Sequence, residues 1–129
     1  MKKAGILTLC SLVAAMLVGF VGTVDARPQY NTAHDEMHKE AKNADAMKEA
    51  KCFKCHFGKK KSDRNDYGMA ITKAGLTKEN YNAKKGDKEA FAKEIAEVLA
   101  KVLEEKSQSG ETFGDLIKAG KLPGTNPEE

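Results

Sequence analysis

Apolar positions along residues 27–129 recur every three or four residues, and no segment alternates strictly between apolar and polar as a half-buried strand would. Helices are therefore expected. The first spans about Thr32 to Lys51. Thr32 with Asp35 forms a capping pair, and Ala33, Met37, Ala41, Ala44, Met47 and Ala50 make a narrow stripe of mostly small residues. After the polar loop Gly58–Ser62, a second helix capped by Ser62, Asp63 or Asn65 runs to Ala74, with Gly75 as its stop. Its apolar face carries Tyr67, Ile71 and Ala74, and Met69 points away from that face. Thr77 to Tyr81 forms a further turn. The longest amphipathic pattern runs from Asp87 to Gln108, with Phe91, Ile95, Val98, Leu99, Val102 and Leu103 on one side. A short helix follows, capped by Thr112 with Asp115 and carrying Phe113, Leu116 and Ile117, and Gly120 closes it. Pro123, Gly124 and Pro127 read as a frayed tail. The expected fold class is all-α, about four helices in one small domain.

The N-terminus follows another pattern. Lys2 and Lys3 precede an apolar run from Ile6 to Val24, and Val24-Asp25-Ala26 places small residues where a signal peptidase requires them. Residues 1–26 are thus expected to be a secretory signal peptide, with residues 27–129 as the exported domain, periplasmic or in an equivalent compartment. The apolar run is short for a spanning anchor. Cleavage after Ala26 removes Cys10, leaving Cys52 and Cys55 as the only cysteines. Removal of Lys2, Lys3 and Asp25 lowers the net charge from +3 to +2, too little to suggest a nucleic-acid partner. The exported part has no Trp, four Phe and three Tyr, so a flat apolar cofactor would add buried area that this chain otherwise lacks.

Cys52-Phe53-Lys54-Cys55-His56 matches C-x-x-C-H, the attachment signature of haem c. Two thiols three positions apart can each add to one vinyl group of the macrocycle. The adjacent imidazole then lies where it can ligate the iron. Such attachment requires export, which the N-terminus supplies independently. Three other chemistries fit parts of this pattern. A thioredoxin-like redox pair belongs near a βαβ pattern, which is absent. A disulfide would leave His56 unexplained. A zinc site would need Cys52 and Cys55 with two of His34, His38 and His56. His34 and His38 share one side of the first helix and read as solvent-facing, or as metal or distal haem ligands. In a continuous helix they would lie ~27 Å and ~21 Å from Cys52 along the axis, too far to reach the iron without a break near Asn43. Met69, 13 residues after His56, is then the candidate distal ligand. Lys54, Lys59, Lys60 and Lys61 surround the motif and would steer acidic partners, or simply solvate the surface. No acid, base or nucleophile constellation of an enzyme is evident.

These features together resemble a small monohaem c-type cytochrome of class I. The resemblance rests on Cys52, Cys55 and His56 early in the exported chain, a helix entering the motif, and an amphipathic helix near the C-terminus. It implies electron transfer between redox protein partners through one covalent haem. One departure bears on the iron: class I proteins take a distal Met from well beyond the motif, and here no Met or His follows Met69. An open distal face would suit the binding or sensing of nitric oxide or carbon monoxide, which is the alternative function.

Overall fold

The computed structural model describes residues 27–127; the expected signal peptide lies outside them. Among the described residues there are six helices and no strand, so the chain is all-α with more and shorter helices than the four expected. They are α1 (Pro28–Met37), α2 (Ala44–Ala50), α3 (Asp66–Lys73), α4 (Lys78–Lys84), α5 (Lys88–Val102) and α6 (Phe113–Lys118), with a 3-10 turn at Lys51–Lys54. None is long and apolar enough to cross a membrane.

The largest correction concerns the first helix, which is two. The chain leaves helical geometry at His38 and resumes it at Ala44. The sequence pattern runs through this point without a breaker. The break is tertiary: Asn43 is buried, and its side-chain amide donates to the Lys121 carbonyl near the C-terminus. A continuous helix would lose that bond.

Elsewhere local signals act as expected. Asn65, Thr77, Asp87 and Thr112 each accept a hydrogen bond from the backbone N–H three residues on, satisfying a free amide at the starts of α3, α4, α5 and α6. Gly75 and Gly120 take left-handed φ values of 112° and 82° just past α3 and α6, where a side chain would be strained. α5 ends at Val102 rather than Gln108, because residues 103–112 turn back and bridge Lys106 to Thr112.

The core forms where α5 lies across α1 and α3. Phe91, Ile95, Leu99 and Val102 of α5 pack with Tyr67, Ala70 and Ile71 of α3 and with Phe113 of α6. Tyr30 of α1 closes one end, stacked edge-on to Tyr81 and tilted against Phe91, and its hydroxyl donates to the Thr77 carbonyl at 2.8 Å. The start of the tail is not frayed. Pro123 is fully buried, and Thr125 exchanges backbone bonds with the amide and carboxylate of Asp66.

Because Leu99 is almost wholly enclosed, truncation to Ala should cost about 2–5 kcal/mol in chemical denaturation. A loss well below 1 kcal/mol would place this face of α5 outside the core.

Candidate functional site

The chain enters the motif through a strained residue. Lys51 has φ 48°, the only non-glycine with positive φ among the described residues. It turns the chain out of α2 into the 3-10 turn that carries Cys52 and ends at Cys55, where the Cys55 and His56 amides both donate to the Cys52 carbonyl. Cys52 is exposed, Cys55 is partly buried against the core, and the two are not joined as a disulfide. Burial pushes the Cys55 thiol up to about 12, with the Lys54 charge opposing, so it stays protonated at neutral pH.

His56 is held from behind. Its Nδ1 lies 3.1 Å from the Asp63 carbonyl, which also accepts from the Phe57 amide, and His56 and Arg64 form an antiparallel bridge. A carbonyl can only accept, so Nδ1 carries the proton and the Nε2 lone pair is left free. Half-burial keeps the imidazole below its ordinary range, the nearby Arg64, Lys61 and Arg27 charges adding to this and the Asp63 bond opposing it. A neutral imidazole with one nitrogen anchored to a backbone acceptor is the usual state of a metal-ligating histidine. The motif therefore offers what a haem of the c type would use, two unpaired thiols able to add to its vinyl groups and one imidazole nitrogen able to ligate its iron.

Asn65 joins the motif to α3. It is 1% exposed; its amide donates to the Lys54 carbonyl at 3.0 Å, its backbone N–H to the Cys55 carbonyl at 3.1 Å, and its side-chain oxygen accepts from Gly68. Gly68 is required by proximity: a Cβ there would lie 2.1 Å from the Cys55 carbonyl oxygen. Sequence reasoning saw Asn65 only as one of three possible caps, and did not see Gly68 at all.

Other residues depart from expectation. Lys54 is not part of a solvated lysine ring: it is 2% exposed and paired with Asp35 of α1. Lys59 and Lys60 are exposed, and the Lys61 ammonium lies 4.2 Å from the centre of the exposed Phe53 ring. His34 and His38 do not face solvent. They are 3% and 8% exposed, their rings 4.7 Å apart, and His34 packs edge-on against Tyr67. Met69 is 62% exposed and lines a cleft of about 400 Å³ with Ser62, Arg64, Thr72 and Lys73. A second groove, about 350 Å³, runs between the α1–α2 turn and α6. Neither is lined by Cys52, Cys55 or His56. Among the described residues no three His, Cys, Asp or Glu side chains converge on a metal-sized site, so the four-ligand zinc arrangement is not assembled.

Two outcomes follow from this geometry. Gly68→Ala should destabilise the fold by about 1–3 kcal/mol, because the Cys55 carbonyl is backbone and cannot swing aside; denaturant midpoints measure it. Burial, the neighbouring His38 and the Lys54 charge together lower the His34 imidazole to about 3. The unfolded chain binds that proton near pH 6.5, so full stability is present above pH 6.5 and is lost as the pH falls toward 3. Lowering the pH from 7 to 4 should cost roughly 3 kcal/mol through this residue. In a His34→Phe variant that increment should disappear from the pH dependence of unfolding.

Comparison with family models, with curated proteins and with solved structures finds no match to this chain.

Proposed function

We propose that the exported chain carries one haem c, linked through Cys52 and Cys55 and ligated by His56, and that it passes single electrons between protein partners outside the cytoplasm. The observation that carries this is the state of His56: directly beside two unpaired cysteines, with Nδ1 turned to the Asp63 carbonyl and Nε2 free. Each linkage forms one C–S bond as a thiol S–H adds across a vinyl group, and nothing is released. When bound, the haem supplies the reversible one-electron chemistry, and the protein supplies ligation, burial and access.

The chain's own residues have definite parts in this. Asn65 and Gly68 hold the motif backbone against α3, so that the cysteines and His56 keep one relative position. Exposed Cys52 and Phe53 place the motif at the surface, where electrons can be exchanged without opening the core. Exposed Lys59 and Lys60, close to the motif in the chain, favour an acidic partner through long-range attraction that salt would weaken.

The distal position separates two functions. Met69 begins the second turn of α3, next to the glycine that abuts Cys55, and is the candidate ligand. Its exposure favours a second function, binding of nitric oxide or carbon monoxide at an iron whose sixth position is weakly held.

Expression with a haem-ligation system should yield a polypeptide that still stains for haem after denaturation and acid–organic extraction. Cys52→Ser with Cys55→Ser should abolish that stain, and colour that separates from the wild-type chain would refute covalent attachment. Carbon monoxide added to the reduced protein decides the distal side. Binding only in Met69→Ala supports electron transfer with Met69 as ligand; ready binding in both proteins favours the gas-binding function.

A further inference from the structure

Outside the motif, the most unusual feature of the interior is a pair of enclosed histidines on α1 and its cap. Both ring nitrogens of His34 and Nε2 of His38 are buried and make no hydrogen bond among the described residues. Native interiors leave few polar atoms in that state. The two residues are not equivalent. His38 lines the groove of about 350 Å³ beside α6 together with Glu40, Lys42 and Lys118, so polar partners stand close to it. His34 lines neither this groove nor the cleft at Met69. It is 3% exposed and packs edge-on against Tyr67, so its two nitrogens are sealed inside the protein.

Its position relates it to the motif. In a continuous helix His34 would stand ~27 Å from Cys52 along the axis. The break after α1 removes that separation. Asp35, the next residue, is paired with Lys54, which lies between the two cysteines. Tyr67, against which His34 packs, precedes Gly68, the residue pressed on the Cys55 carbonyl. His34 is therefore one neighbour removed from the motif on two sides. Its chemistry also resembles that of His56. Asp35 Oδ1 stands 3.8 Å from His34 Nδ1, and a small side-chain rotation would let Nδ1 donate to it, leaving Nε2 with a free lone pair. His56 has that arrangement already through the Asp63 carbonyl. Haem iron takes two axial donors from a protein and needs no third. Met69 is the weaker second donor: it is 62% exposed, and its cleft is lined by none of Cys52, Cys55 and His56.

We propose that His34, from the helix that precedes the motif, is the distal ligand in place of Met69, so that the iron is held between two imidazoles. This rests on the haem reading of Cys52, Cys55 and His56 and names the sixth ligand of that site. Asp35 is then a positioning residue, tied at once to the distal imidazole and to the attachment segment.

The test uses the exported chain expressed with a haem-ligation system. The oxidised wild type should be low-spin, with the near-infrared magnetic circular dichroism of two imidazoles rather than of imidazole and thioether. The chain has three histidines, so an unchanged spectrum in His38→Ala identifies His34 without any change at His34 itself. His34→Ala should turn the iron high-spin and bind carbon monoxide, when reduced, at least tenfold more readily, with haem stain and far-UV circular dichroism unchanged. Added imidazole should restore its low-spin spectrum, which a merely structural role for His34 would not allow. His34→Met should raise the reduction potential. Imidazole–thioether bands or high-spin iron in the wild type, or bis-imidazole bands lost in His38→Ala, overturn the assignment while leaving the covalent haem in place. Colour that separates from the denatured wild-type chain overturns the haem reading itself, and His34 as its ligand with it.

Discussion

One buried amide, Asn65, holds the site and the fold together. It has no charge and little volume, yet its side chain and backbone bond to Lys54, Cys55 and Gly68, joining the motif to the first turn of α3. The next residue extends the junction: the Asp66 carboxylate accepts from the amides of Gln108 and Thr125, drawing the segment after α5 and the C-terminal tail to the same point. The chain has few large side chains with which to fix a loop by packing. It fixes this one by saturating the polar groups of a short segment, an arrangement that tolerates no partial loss because each freed group would remain buried.

The motif is also fixed from its other side. The Lys54 side chain runs inward to Asp35, so the turn carrying both cysteines is bonded to α1 as well as to α3. A buried ion pair of this kind contributes little net stability, because the desolvation of both charges offsets their attraction. Its effect is on position. Removing Asp35 would leave the enclosed Lys54 ammonium without a partner, so the pair couples the motif to α1.

The division between what could and could not be read in the sequence follows the range of the forces. Helix starts at Thr77, Asp87 and Thr112 were legible because each side chain acts on an amide only three residues away. The α5 face was legible because Phe91, Ile95 and Leu99 keep one period over a long segment. The C-x-x-C-H run was legible as five adjacent residues. The helix break was not, since it depends on Asn43 meeting Lys121, 78 positions away, while the alanine pattern continues through it. The burial of Lys54, His34 and His38 was hidden for a related reason. Polar side chains are normally placed outside, and only the distant partners that enclose them reverse that expectation. The tail was misread because Pro123 and Gly124 signal an end to helix, which is true, but says nothing about whether the irregular chain packs.

That tail has a consequence for the order of events in the cell. A Cβ at Gly124 would stand 2.1 Å from the Asn65 amide, so the chain's closing residues press directly on the side chain that secures the motif. A polypeptide is made from its N-terminus. Cys52 and Cys55 therefore emerge well before residue 124 arrives to shut the junction behind them. Until then Asn65 lacks the backbone that packs against its side chain, and the segment bearing both thiols is anchored from one side fewer.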